Sequence, residues 1–448
     1  MYKTASVLAL LTSGALAADP APALRGPGDP PVNRPPDPSI RVDTTLVSSG
    51  AKAQPIATGE FTKLQLTNEF WGEGMGYGDF NHDGKMDVAY GPYWWEGPDF
   101  KVRHTYADDS HRSKIKKPDG TEVEFNGYKG ALSHENEYSG NFIVYGYDFN
   151  GDGWSDILVI GFPGAEAFWY ENPKGGNGPW EKHLAWDNVD NESPEFTDLL
   201  ANGKPVLVCN SHGYFGYAQP DPMHPTAKWA WHNISSKGGW QRFTHGIGVG
   251  DVNGDGKPDI MEAGGWWEQP ASLEGDPVWK KHDALFGKGG AQMYAYDVNG
   301  DGKPDVITSL EAHGHGLVWF EQTNEGGAEG WIKHTISGTK PEESLQGIVL
   351  TQPHAIELVD MNGDGLKDIV TGKRFWAHGP EGDVDPNGPA VLYWFELKRT
   401  GHDVQWIAHL IDDDSGVGTQ VSVADINGDG KPDVIVGNKK GAFVFLRK

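Results

Sequence analysis

The sequence predicts an all-β fold, a seven-bladed β-propeller, on three observations. A nine-residue aspartate pattern recurs six times, a worn seventh copy fills the one long gap, and aromatic pairs and histidines recur in a second register. Repeats of this length, built from short strands and turns, are propeller blades rather than helical solenoids.

The pattern is Asp-x-Asn-x-Asp-Gly-x-x-Asp. Its oxygen donors are Asp79, Asn81, Asp83 and Asp87; Asp148, Asn150, Asp152 and Asp156; Asp251, Asn253, Asp255 and Asp259; Asp297, Asn299, Asp301 and Asp305; Asp360, Asn362, Asp364 and Asp368; and Asp425, Asn427, Asp429 and Asp433. Carboxylates spaced by two along a tight turn suit a hard cation with several oxygen ligands, so structural calcium is expected in each loop. Each loop runs straight into β-branched residues, as at Val306-Ile307-Thr308, which places it between strands and not between EF-hand helices. Successive copies lie 69, 103, 46, 63 and 65 residues apart. The gap of 103 is about two repeats long, and within it Thr197-Asp198 to Val208 reads as a decayed copy without most of the ligands.

The second register gives the same count. Trp94-Trp95-Glu96, Trp169-Tyr170-Glu171, Trp266-Trp267-Glu268, Trp319-Phe320-Glu321 and Trp394-Phe395-Glu396 follow most loops. A Trp-x-x-His strand comes next at His183, His232, His282, His334 and His409, with His104 a looser copy. The aromatic pairs are expected to pack between blades, and these histidines to hold fixed structural partners. The last blade stops at Val444-Phe445-Leu446, so Phe61 to Leu66 is expected to supply its missing strand and close the ring.

Ahead of the repeats, residues 1–17 have a basic start, an apolar run and Ala15-Leu16-Ala17, the marks of a secretory signal. Residues 18–45 read as a Pro-rich leader and 46–448 as the propeller. No later segment has the roughly 20 apolar residues of a membrane helix, so a secreted, extracellular protein is expected. The net charge of −26 argues against nucleic acid or an anionic membrane as partner. Cys209 is the sole cysteine, so no internal disulfide forms, and its apolar surroundings make it a buried residue rather than a nucleophile. Asn191 and Asn233 sit in glycosylation triplets, the first weakened by Pro194.

The residues that break the repeat carry the functional signal. His245 and His354 each lie six positions before a loop aspartate, at equivalent points of two blades. His313 and His315 alternate in Glu311-Ala-His-Gly-His, and on an extended segment both rings would address one ion. His212 occupies a comparable place in the decayed blade, and His134 lies in a long insertion. Neutral imidazoles suit zinc or another transition metal. The expected ligands are therefore His245, His313, His354 and His212, with His315 or His134 as base or acid. Glu73, Glu262, Glu311, Lys373, Arg374 and Gln420 fall at similar blade positions and complete a polar mouth. No serine-nucleophile elbow, dinucleotide fingerprint, phosphate loop or His-Glu-x-x-His helix is present.

The aspartate loops resemble the FG-GAP/VCBS repeats of integrin-type propellers over about residues 55–448, a fold that serves adhesins, lectins and enzymes alike. Thr244-His245-Gly-Ile-Gly, Glu311-Ala-His313-Gly-His315-Gly and Gln352-Pro-His354-Ala, with the aromatic-Glu strands, resemble the propeller domain of fungal aldos-2-ulose dehydratases and 1,5-anhydro-D-fructose dehydratases. That resemblance implies a zinc ion at the bottom of the cleft and loss of water from a keto-sugar. The cupin and lectin-like domains of larger relatives are not expected here, nor is any cupin-borne isomerisation. Two rival classes stand beside this reading. A glycan-binding lectin or adhesin would show sugar pockets repeated between blades. A polysaccharide lyase acting on uronates would need a basic pocket, for which Lys373, Arg374 and Lys439 are the evident material.

Overall fold

The computed structural model describes residues 40–42, 56–57 and 59–448, except 118, 134, 177 and 324–329. The signal reading of residues 1–17 and the His134 reading lie outside the described residues, as does the leader up to residue 39. Seven four-stranded antiparallel sheets follow one another around a ring. Their inner strands are Gly76–Gly78, Ile143–Tyr147, Glu195–Thr197, Ile247–Gly250, Tyr294–Tyr296, Ile356–Val359 and Val421–Ala424. Blades are numbered 1 to 7 in that order. Blade 7 takes its outer strand from Phe61–Thr67, which pairs antiparallel with Gly441–Arg447 and closes the ring from the opposite end of the chain. Ile40–Val42, inside the stretch read as leader, adds a parallel fifth strand to blade 5, and Ile56–Ala57 does the same for blade 6.

The aromatic pairs explain why the blades stay together. Neighbouring residues on a strand point to opposite faces of the sheet. Trp94 therefore enters the core between blades 1 and 2, while Trp95 enters the core between blades 7 and 1. Trp266 and Trp267 divide in the same way, as do Trp394 and Phe395. One such pair bonds a blade to both neighbours. Behind them the histidine of the outer strand lies directly across from the first aromatic, at Trp266↔His282 and Trp319↔His334. The rings stack at 3.9 and 4.0 Å, and each imidazole meets its blade's glutamate at 2.7 Å. Blade 3 has Gln219 where blades 1, 2, 4, 5 and 6 have glutamate, and His232 turns to Asp276 of blade 4 instead.

The aspartate loops join the first and second strands, so antiparallel pairing puts all of them on one face of the ring. Their ninth residue is a staple. Asp305 accepts the Val298 N–H at 2.9 Å and the Gln322 N–H at 2.9 Å, tying the loop to the turn between the outer strands. Asp87, Asp156, Asp259, Asp368 and Asp433 repeat the arrangement. Burial pushes these carboxyls up against the pull of the two N–H groups, Asp87 and Asp259 to about 6 and Asp156, Asp305 and Asp368 to about 7. The fourth and sixth positions are left-handed, as at Gly254 (φ 75°) and Gly256 (φ 86°). The worn loop keeps both bends, at Ala201 (φ 49°) and Gly203 (φ 76°). There Val206 replaces the staple, and the Leu199 N–H goes to the Thr197 carbonyl at 2.9 Å.

Candidate functional site

The connection into each inner strand, and the turn between second and third strands, emerge on the face opposite the loops. The site is built there. Six residues before the first loop aspartate, the blades carry Glu73, Phe142, Glu192, His245, Ala291, His354 and Thr419 at equivalent points. Equivalent points of a ring converge on its axis, so a glutamate from blade 3 meets histidines from blades 4 and 6.

His245 Nε2 lies 3.2 Å from His354 Nε2 and 3.1 Å from His313 Nε2. Glu192 Oε2 lies 3.4 Å from His245 Nε2 and 3.2 Å from His354 Nε2. The three rings stand nearly perpendicular to one another, at 72° to 85°. A tetrahedral ion about 2.0–2.1 Å from its ligands needs donors about 3.3 Å apart; the four separations above, 3.1 to 3.4 Å, fit that spacing, and all four atoms lie within 4.8 Å of one another.

The protonation states fit as well. Arg374 Nη1 donates to His354 Nε2 at 2.9 Å, and a guanidinium can only donate, so that nitrogen is unprotonated and an ion bound there would take the lone pair that Arg374 now occupies. Burial, then the Arg374 charge, holds His354 well below the usual imidazole range. Burial likewise pushes His313 down to about 4. Burial acts to raise Glu192, but His245 and His354 outweigh it and keep the carboxyl ionised, helped by Arg374 Nη1 at 3.3 Å. The guanidinium is completed by Glu73, whose Oε2 accepts from Nε at 3.2 Å. His313 and His354 held neutral beside an ionised Glu192 match the state in which such residues bind a metal.

An insertion in blade 6 supplies the surroundings. Asp383 Oδ2 lies 3.5 Å from the buried His313 Nδ1, at ion-pair distance behind the ring but without a hydrogen bond to it. The same carboxylate accepts His378 Nδ1–H at 2.8 Å, and the His378 ring packs 4.3 Å from His313. His378 is exposed, with Nδ1 turned to Asp383 and Nε2 on the far side of the ring. Lys439, fully buried, clamps this insertion through the Trp376 carbonyl at 2.7 Å and the insertion before blade 2 through Asn136.

Several residues expected at the site sit elsewhere. Residues 311–314 form a turn, not an extended segment, and His315 makes a backbone bridge to Thr351, so His313 alone of that pair enters the cluster. His212 sits in the corresponding turn of blade 3 with φ 53° and points to Asp187 at 3.5 Å, well exposed. Glu311 pairs with Lys288 at 3.1 Å, and Lys373 binds Asp385. Glu262 pairs with Lys281 at 3.1 Å, and Gln420 staples Val144 through both of its amide groups. Arg374 is in the site but holds its carboxylates. Glu192, His378 and Asp383 are additions. Glu192 had a signal, the shared place six residues before Asp198, whereas the other two lie in an insertion with no repeat to align them.

Residues 297–371 and 360–436 match the model of the FG-GAP-like repeat. Blades 5 to 7 thus contain the stretches that match this repeat. No curated protein sequence matches it well enough to count as a relative. Similar solved structures include rhamnogalacturonan lyase YesW, at 12% identity over 89% of this chain and 74% of that chain, with a TM-score of 0.38. Another is the V. cholerae biofilm matrix protein Bap1, at 14% identity over 66% and 76%, with a TM-score of 0.28. Likenesses this loose carry no functional argument. Among the described residues no helix is long and apolar enough to cross a membrane.

Proposed function

We propose that the chain is a secreted, metal-dependent hydro-lyase that removes water from a keto-sugar such as 1,5-anhydro-D-fructose or glucosone. The observation that carries the reading is the meeting of His245, His313, His354 and Glu192 at tetrahedral spacing. These four residues would hold zinc or a similar transition ion. The chemistry such an ion supplies when bound is Lewis-acid polarisation of a carbonyl oxygen. Carbonyl polarisation acidifies the neighbouring C–H of a keto-sugar, and elimination then needs a base for that proton and an acid for the departing hydroxide.

His378 is placed to move the proton at Nε2. Asp383 fixes its tautomer through Nδ1 and stabilises the imidazolium that forms, as in other Asp–His pairs. Glu73 and Arg374 hold Glu192 in place, and Asp383 lies behind His313. On the opposite face, positions 1, 3 and 5 of the six loops would hold calcium, with the ninth carboxylate stapling each loop to its blade. Weighing against a uronate lyase, Arg374, Lys373 and Lys439 are all tied to carboxylates or carbonyls, which leaves no basic pocket from that set.

The test is loss of water from 1,5-anhydrofructose and glucosone by the purified chain, followed by absorbance of the enone product and by mass. Turnover that falls on chelation and returns with zinc is expected. Binding of either sugar without turnover, in zinc-loaded protein, would replace the enzyme reading with a lectin.

A further inference from the structure

The central channel holds two carboxyl groups, Glu195 and Glu357, that the histidine site does not use. Three residues before each loop aspartate, the inner strands carry Tyr145, Glu195, Tyr294, Glu357 and Ser422, with Gly76 and Gly248 completing the ring. This level lies between the histidine face and the loop face. Glu195 and Glu357 lie deep in the molecule yet keep part of their surface toward the channel.

Neither carboxyl has a basic partner in an ion pair among the described residues. Glu195 takes the Val249 N–H on one oxygen, while Oε1 is sealed from solvent and has no hydrogen bond. Glu357 Oε2 meets the Tyr294 hydroxyl at 3.4 Å, and that hydroxyl also donates to the Ile356 carbonyl at 2.9 Å. Two carboxylates buried without cations are costly, and a sealed unpaired carboxylate oxygen marks a missing proton or ion. The groups facing the pair are the phenols of Tyr77, Tyr145 and Tyr294 and, more distantly, Lys367. Every donor pointing at the channel here is oxygen, the ligand set of a hard cation and not of zinc.

We propose that the channel binds one hard divalent cation of the calcium class between Glu195 and Glu357, distinct from the loops and from the histidine cluster. Without the cation the pair keeps protons, since burial and then Glu357 raise Glu195 well above the carboxylate range, and burial raises Glu357 to about 7. Binding exchanges the cation for the carboxyl protons, which leave to solvent, so charge balances in the channel.

The experiment is calcium titration calorimetry of the full chain in two near-neutral buffers of different ionisation heat, which counts protons released. Wild type is compared with a Glu195→Gln/Glu357→Gln double variant. The variant is expected to bind one calcium fewer and to release between about one and two fewer protons per chain, since Glu357 is about half protonated near neutral pH. Equal stoichiometry and equal proton release in the two proteins overturns the proposal. A measurement on wild type alone covers a variant that fails to fold. The infrared band of protonated carboxyls should shrink on saturation with calcium, and a band that persists unchanged shows a shared proton in place of a cation.

Discussion

The two faces of the ring are built by opposite rules. On the loop face, six blades repeat one solution, and the seventh shows what remains when most of it is removed. Asp198 still accepts the Asn202 and Gly203 N–H groups at 2.9 and 2.7 Å, and both left-handed bends persist without Asp at the ninth position. On the histidine face nothing repeats. The seven equivalent points hold two glutamates, two histidines, a phenylalanine, an alanine and a threonine. Repetition marks what each blade needs in order to fold, and departure from it marks what the ring needs only once. The histidines make the contrast within one residue type. His282 and His334 stack on tryptophans and meet glutamates in blade after blade, whereas His245 and His354 face one another across the axis.

If that division holds, changes on one face should leave the other untouched. The largest expected effect is on the histidine face. His378→Gln should lower turnover about 10²–10⁴-fold with metal content and melting temperature unchanged, as read by steady-state kinetics and metal analysis. Next, Arg374→Met removes the guanidinium shared by the buried Glu73 and Glu192, leaving Glu73 only Lys439 at 3.8 Å. It should cost about 3–5 kcal/mol in urea unfolding and weaken metal retention as well, the one change expected to couple fold and site. On the loop face, Asp305→Ala leaves the Val298 and Gln322 N–H groups unpaired. About 2–4 kcal/mol of stability should be lost, with turnover of the folded fraction unchanged. The smallest effect is expected for His334→Ala, which loses one hydrogen bond to Glu321 and one stack on Trp319. About 1–2 kcal/mol of destabilisation and unaltered kinetics would mark it as structural. Loss of turnover in the His334 variant would break the distinction between repeated and unrepeated histidines.

This division also sets how much was legible in the sequence. The fold could be read because every blade restates it. Ligand spacing gave six loops, the gap gave the seventh blade, and the ending at Leu446 called for the strand at Phe61–Thr67. Two strands escaped that reading. Ile40–Val42 and Ile56–Ala57 pair parallel on outer edges, a contact that no repeat announces. At the site, His245 and His354 were legible through their shared place, and His313 through its departure from the pattern. His315 misled because alternation argues for a shared face only on an extended segment, and this segment turns. His212 misled in a different way. The blade 3 contribution comes from Glu192, in the connection before the inner strand, and not from the turn that carries His212. Asp383 and His378 belong to an insertion, and only folding brings them against His313. Asn191 shows the same limit, since its side chain is buried and its triplet is no surface acceptor in the folded chain.

The most direct test of the central claim is metal analysis of the purified chain after mild chelation, set beside a His354→Ala variant. The account predicts one tightly held transition ion per wild-type chain, its loss in the variant, and the same calcium content in both. A wild-type chain that holds calcium alone, or a variant that keeps its transition ion, would contradict it.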